Sequence, residues 1–425
     1  MKQSVLALLA VVIVAAAAAA QPAVPVFHGA RGFGIETPAG RGGRVVRVTS
    51  LDARGPGSFA AALESEGPRI VVFEVGGVID LGRRTIDVTE PYLTVAGQTA
   101  PSPGVTVIRG GIRIRTHDVL IQHIRVRPGD AGAPRRSGWE PDGISAWEES
   151  AYNIVIDHCS VSWAVDENMS VSGSLRRGRE GTARNVTFSN CIIAEGLHDS
   201  SHRKGPHSMG SLIHNFCSNV AIIGNLYAHN HDRNPYFKAD ATGVVVNNVI
   251  YNPGVAAVAL GYLASEYRGL AAGPSNARVA VVGNVLLRGP DTRPGLPLLK
   301  GRGDAYYDDN IAWSRSGDDA VDVSRGPTIL GNRPLWPPGL DPLPARQVLE
   351  HVLRRSGARP MDRDAVDVRI VGSVRSGSGC IIDSQDDVGG YPEVEAVYRR
   401  LEVPEDGIDG WLRELAGDLE GHGHR

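Results

Sequence analysis

A parallel β-helix is the fold class this sequence predicts, on three observations. Short alternating strands recur along the chain, no helix-period segment lies between them, and the interior positions are Val, Ile and Gly more than Phe and Leu. The recurring units are 92–98 (YLTVAGQ), 118–124 (DVLIQHI), 153–159 (NIVIDHC), 185–191 (NVTFSNC), 219–225 (NVAIIGN), 243–249 (GVVVNNV), 278–284 (RVAVVGN) and 304–310 (DAYYDDN). Each is a strand of five or six residues with period-2 alternation, closed by Asn, His, Gln or Gly. Successive units start 24 to 35 residues apart, which marks a repeat architecture and not a Rossmann or barrel fold. Parallel neighbours normally need a crossover helix. With none available, the chain itself must coil so that each unit lies about 4.8 Å above the last. The second and fourth residues of a unit then face inward: Leu93/Val95, Val119/Ile121, Ile154/Ile156, Val186/Phe188, Val220/Ile222, Val244/Val246 and Val279/Val281.

Taken in order, residues 1–20 read as a signal peptide. Met1-Lys2 precedes an apolar run from Val5 to Ala20 that ends in alanines before Gln21. The run is short for a membrane span, so the mature chain is expected to be secreted or periplasmic, in an oxidising and often calcium-rich compartment. Residues 21–335 form the β-helix, Gly-rich from Gly29 to Leu81 and strand-like at 70–75 (IVVFEV). The intervals 118–153, 153–185, 185–219 and 243–278 hold more residues than a coil needs. The surplus must leave as loops, so a groove is expected beside the middle coils. Residues 336–425 change character: Val348, Leu349, Val352 and Leu353 have helical spacing, as do Val394, Val397, Tyr398 and Leu401. This tail is read as helices and loops that cap the solenoid and blunt its edge.

Composition narrows the function. With 42% apolar residues and a net charge of −3, the 425-residue chain is neither disordered nor a general nucleic-acid binder. Four cysteines without CxxC spacing exclude a disulfide scaffold. Cys159 and Cys191 share a register in successive units, so a disulfide and a pair of buried thiols are both open. After leader removal no segment engages a membrane, and a long capped solenoid is expected to be a monomer.

Chemistry-bearing residues gather in the region of surplus loops. Asp142, in 140–145 (EPDGIS), and Asp166, in 163–170 (WAVDENMS), each fall close to a strand and about one coil apart. With Glu167, Asn168 or Glu195 nearby, such carboxylates suit a hard cation such as Ca²⁺; otherwise they are simply solvated. Two basic runs follow, 202–207 (HRKGPH) and 231–238 (HDRNPYFK). Arg and Lys beside a calcium site complement a carboxylate sugar, and Asn234-Pro235 argues that Arg233 is rigidly held. Arg135-Arg136 and Arg176, Arg177 and Arg179 read as ordinary charged faces. His158 shares the inward parity of Ile154 and Ile156 and reads as a stacked, hydrogen-bonded turn residue.

These residues resemble a family. The run 154–171 (IVIDHCSVSWAVDENMSV) is similar to the strand-histidine-acid block of the pectate lyases of polysaccharide lyase family one. Segments 32–58 and 94–105 resemble the N-terminal blocks of its bacterial secreted members. Segments 202–208 (HRKGPHS) and 233–238 (RNPYFK) resemble the substrate lysine and the Arg-x-Pro-x-x-Arg block, and 357–371 and 386–392 the C-terminal segment. The resemblance implies a right-handed parallel β-helix that cleaves de-esterified homogalacturonan by calcium-assisted β-elimination. By it, Arg233 matches the proton-abstracting arginine and Lys204 the lysine that holds the substrate carboxylate. Asp142 and Asp166 match calcium ligands, and Lys238, His202 and His207 fall at the substrate. Two positions depart from the pattern. The second arginine of the block is Lys238, which keeps charge and loses bidentate geometry. The acid expected four residues after Asp166 is Ser170, so the calcium shell needs another ligand, Glu195 first and Glu167 second.

Elimination removes the proton on C5, beside the C6 carboxylate. Crowding by Ca²⁺, Lys204 and Lys238 is expected to lower the pKa of Arg233 and shift activity to alkaline pH. Two other classes remain at this level. A polygalacturonase-type hydrolase would use Asp142 and Asp166 as an acid pair, and a non-catalytic carbohydrate-binding β-helix would need neither Lys204 nor Arg233.

Overall fold

The computed structural model describes residues 24–270, 272–313 and 324–421; the leader predicted at 1–20 lies outside them. Each coil passes through three sheets in turn. Among the described residues the first has eleven strands, the second ten and the third nine. In the first sheet Leu93–Ala96, Val119–Gln122, Tyr152–Asp157, Arg184–Ser189, Ser218–Ile223, Thr242–Val246, Arg278–Val282 and Asp304–Asp308 follow one another as parallel neighbours. These are the eight repeat units, stacked as the spacing predicts. The architecture is a right-handed parallel β-helix.

Polar ladders hold the corners. Asn153, Asn185 and Asn219 adopt φ of 53°, 54° and 55°, a left-handed conformation that asparagine tolerates. Their amides hydrogen-bond from rung to rung, Asn185 Nδ2 to Asn153 Oδ1 at 3.2 Å and Asn219 Nδ2 to Asn185 Oδ1 at 3.0 Å. A second ladder runs Asn225, Asn248, Asn284, Asn310, with Nδ2 to Oδ1 distances of 3.0, 2.9 and 2.9 Å. The buried amides of Asn225, Asn248 and Asn284 thereby find partners, as their desolvation requires.

The core is the column of inward Val, Ile and Leu side chains from the three sheets. Six of the seven expected inward pairs lie in it. The exception is Val244/Val246, which face outward and pack on Ala280, Val282 and Leu340. In that unit Gly243 pairs with Val220 and Val245 with Ile222, so these two are inward. Gly243 leaves room for Phe237: a Cβ there would sit 2.5 Å from the ring and 2.2 Å from the Val220 carbonyl oxygen.

Helix α1 (Phe59–Leu63) buries Phe59 and Leu63 against the first rungs. In the tail, α2 (Ala345–Arg355) and α3 (Ala365–Ser376) lay Val348, Val352, Ile370 and Val374 over the outer face of the second sheet, on Ile192, Leu226, Val249 and Val285. Arg127, fully buried on that sheet, clamps α3 through Asp364 and Asp367. Helix α4 (Ile408–Glu420) packs Leu412 on Ile70, Val72 and Ala96. The helix expected from Val394 to Leu401 is absent. Val397–Tyr398 instead pairs antiparallel with Val75 and Gly76 at the edge of the second sheet. There it blocks the edge as the capping argument requires, by strand pairing. All four cysteines are free thiols, and Cys159 and Cys191 bond to backbone carbonyls within the core.

Candidate active site

The loops locate the groove. Residues 128–143 and 195–208 connect the second sheet to the third, and 173–183 and 261–277 connect the third to the first. The outer face of the third sheet thus lies between two walls. Its strands Ile144–Trp147, Glu167–Ser172, Met209–Ile213 and Tyr236–Phe237 are successive neighbours, and each presents the residues just before it to the same wall.

Asp142, Asp166 and Glu167 come from two adjacent rungs and bring one carboxylate oxygen each within 4.8 Å of the others. Asp142 Oδ1 accepts from the Glu167 N–H at 3.1 Å and its Oδ2 from the Ser170 hydroxyl at 2.8 Å. Ser170, the position where an acid was expected, therefore orients Asp142. Burial and the neighbouring Asp166 push the Asp142 pKa up to about 7, against the pull of Ser170 and Arg233. Burial works to raise Asp166 too, but His207, His202 and Arg233 outweigh it and hold that carboxyl below its ordinary range. Three crowded carboxylates, one of which ionises only near neutrality, make an all-oxygen donor set for a hard divalent cation.

His202 and His207 stand behind Asp166. Their rings stack with centroids 3.6 Å apart, and Nε2 of each points at Asp166 Oδ1, from 3.7 and 3.1 Å respectively. The Lys204 N–H donates to His202 Nδ1 at 3.1 Å, so the His202 proton sits on Nε2. The sequence reading put both imidazoles at the substrate; both are buried, and here they position a carboxylate.

The cations meet the acids from the next rungs. Arg233 reaches Glu167 in an ion pair. Its pKa is lowered by burial, against the raising charges of Asp166, Tyr236, Asp142 and Glu266. The cause differs from the one expected, which was crowding by cations. Lys238 is buried and pairs with Glu266. Lys204 is exposed, and its charge reaches Lys238 and His202. Glu266 was missed: it lies in the surplus of the 243–278 interval, and only that length signalled it.

Glu195, the first choice for an extra ligand, is not in the cluster. Its oxygens pair with Arg369 and accept from Trp163 Nε1 at 2.9 Å. Its place in the chain suggests a nearby acid, but the tail helix α3 supplies Arg369 and claims it. Glu167, the second choice, is in the cluster. His158 stacks on His123 and bonds Asp157 at 2.7 Å, a structural role as read.

No protein-family model matches the chain. It is 34% identical over 410 residues to a probable pectate lyase C of Aspergillus flavus, spanning 93% of this chain and 88% of that one. It is 33% identical over 399 residues to the probable pectate lyase C of Emericella nidulans, spanning 91% and 85%. Among solved structures the fold is similar to that of the major allergen of cedar pollen, with TM-score 0.55 and 15% identity over 76% of this chain and 91% of that one. It also matches a pectate lyase of a Bacillus species solved with trigalacturonate, with TM-score 0.50 and 16% identity over 77% and 98%.

Proposed function

The chain belongs to the pectate lyases, and from that premise we propose that its third-sheet groove cuts de-esterified homogalacturonan by β-elimination, with calcium held at Asp142, Asp166 and Glu167. The observation that carries this reading is the convergence of those three carboxylates beside Arg233 on one groove wall. Bound there, calcium would supply fixed positive charge against the C6 carboxylate of the sugar and make the C5 proton easier to remove. Lys204, exposed beside His202, holds a substrate carboxylate and stabilises the negative charge that develops after proton loss.

Arg233 is the base in this reading. Its side chain is mostly withdrawn from solvent, which disfavours the charged form. Its contact with Glu167 acts the other way and holds the proton in place. Arg233 would be competent as a base once free of Glu167, which is also one of the residues that would hold the calcium. Because the neutral guanidine is the working form, activity rises toward alkaline pH. Placement in the bacterial secreted subgroup, with export outside the cytoplasm, is part of this proposal, the curated relatives being fungal.

The opposed pKa shifts of Asp142 and Asp166 also fit an acid pair for hydrolysis, and one assay separates the two. Polygalacturonate is incubated with the protein, with and without chelator, and the ultraviolet absorbance of the unsaturated product is followed. Calcium-dependent absorbance is expected. Reducing ends without absorbance would mean hydrolysis. Arg233→Ala should cut kcat by about a thousandfold or more while KM changes little.

A further inference from the structure

Lys238 is a cation beside the substrate groove that already has a carboxylate from its own chain. Its Nζ lies 2.7 and 2.6 Å from the two oxygens of Glu266, the contact a uronate would make with the same ammonium. The Lys238 side chain is 8% exposed and that of Glu266 29%. An intruding sugar acid would have to strip a largely desolvated ammonium of its partner and leave Glu266 unpaired in the wall. Glu266 is also firmly placed. It belongs to the short turn Ala264–Tyr267, whose Tyr267 is buried and accepts a hydrogen bond from Asn215 Nδ2 at 2.6 Å. Lys204 differs: it is exposed, and among the described residues no carboxylate pairs with it. Two lysines of one cluster therefore present opposite surfaces, one an open positive charge and the other a cancelled pair that offers hydrogen bonds without net charge.

We propose that Glu266 is a specificity-determining residue that neutralises Lys238, so that the galacturonosyl unit lying there is accepted as its methyl ester as readily as with a free carboxylate. The unit held by Lys204 must be ionised. The groove then takes a partly esterified homogalacturonan as well as the de-esterified polymer. This inference rests on the lyase reading above.

The test compares kcat/KM on polygalacturonate and on a pectin about one-third methyl-esterified, for the unmodified chain, Glu266→Gln and Lys238→Met, with thermal midpoints measured on each. The unmodified chain should act on both polymers within about threefold, and mass spectrometry of its products should find esters retained at one fixed position relative to the cut. Glu266→Gln should lower KM on polygalacturonate by about three- to tenfold and shift preference toward it by that factor. Lys238→Met, which leaves the Glu266 carboxylate uncompensated, should shift preference the opposite way, toward the esterified polymer. A higher KM for Glu266→Gln on both polymers would overturn the proposal, because Glu266 would then merely orient Lys238. Esters scattered at random in the products of the unmodified chain would also overturn it, and that measurement needs no variant. If the unmodified chain gives no unsaturated product from either polymer, the lyase reading fails and this one with it. An active chain whose preference Glu266→Gln leaves unchanged sinks this inference alone.

Discussion

Asp142 is hard to ionise because burial and Asp166 both oppose its charge, with its pKa pushed up to about 7. A cation ligand must be deprotonated, so Asp142 would have to lose its proton to hold the proposed calcium. Calcium affinity, measured by titration calorimetry, should therefore weaken about tenfold per pH unit below about 7 and level off above it. The calorimetric heat should also vary with the ionisation enthalpy of the buffer. Ser170→Ala removes the hydroxyl that favours the charged form; it should move the break to higher pH and raise the calcium Kd several-fold at pH 7. An affinity flat from pH 5 to 8 would remove Asp142 from the ligand set. At this scale the convergence of Asp142 and Asp166 near Arg233 was legible, because these residues recur near strand starts, where a coil brings successive rungs together. Glu195 was misread for the opposite reason: its fate is decided by Arg369, 174 residues away, and no local pattern encodes that.

Strand units were legible in the same measure. Alternation identified them, but 243–246 (GVVV) does not alternate and offers two registers, Val244/Val246 or Gly243/Val245 inward, and a one-residue slip turns every side chain over. Phe237, on the neighbouring third-sheet strand, breaks the tie by filling the space above Gly243. Gly243→Ala should then cost about 1–3 kcal/mol through overpacking, read as a lower denaturant midpoint. Adding Phe237→Leu should recover part of that loss, a non-additivity expected of side chains in contact. Full additivity in the double-mutant cycle would mean that Phe237 does not set the register. Strand Tyr236–Phe237 leads directly into Lys238, so the packing that fixes Gly243 also fixes the height of a groove cation. The tail was less legible: apolar residues at helical spacing from Val394 to Leu401 sit on an extended segment, because an open sheet edge at Val75 and Gly76 offers backbone partners that outweigh a marginal helix.

Across the whole molecule, the tail is tied to the solenoid by charge as well as by apolar contact. Glu420, at the end of α4, lies 3.4 Å from His123 Nε2 and 3.7 Å from His158 Nδ1. His158 also faces Asp157 at 2.7 Å, and His123 donates from Nδ1 to the Ala358 carbonyl at 2.8 Å. Burial acts to lower the His158 pKa, but Asp157 and Glu420 outweigh it and raise it to about 9. Asp157 and Glu420 are both lowered against the opposing effect of burial, with the charge of His158 the leading cause. The signs then fix a window. The raised histidine contributes stability that is complete below its unfolded pKa of about 6.5 and is lost as pH climbs through about 9. The lowered acids contribute stability that is present above their unfolded pKa of about 4 and is lost on acidification below it. Docking of α4 should be strongest between about pH 5 and 6.5 and loosen on the alkaline side. Hydrogen exchange of α4 amides, corrected for intrinsic rates, should accelerate between pH 7 and 10 relative to amides of the first sheet. Glu420→Gln should raise exchange at pH 6 and flatten that dependence, since the neutral amide no longer rewards a charged imidazole. If α4 protection in the unmodified chain does not change across this range, apolar packing of Leu412 and Leu419 alone holds the helix. The pH response of activity would then report on the groove and nothing else.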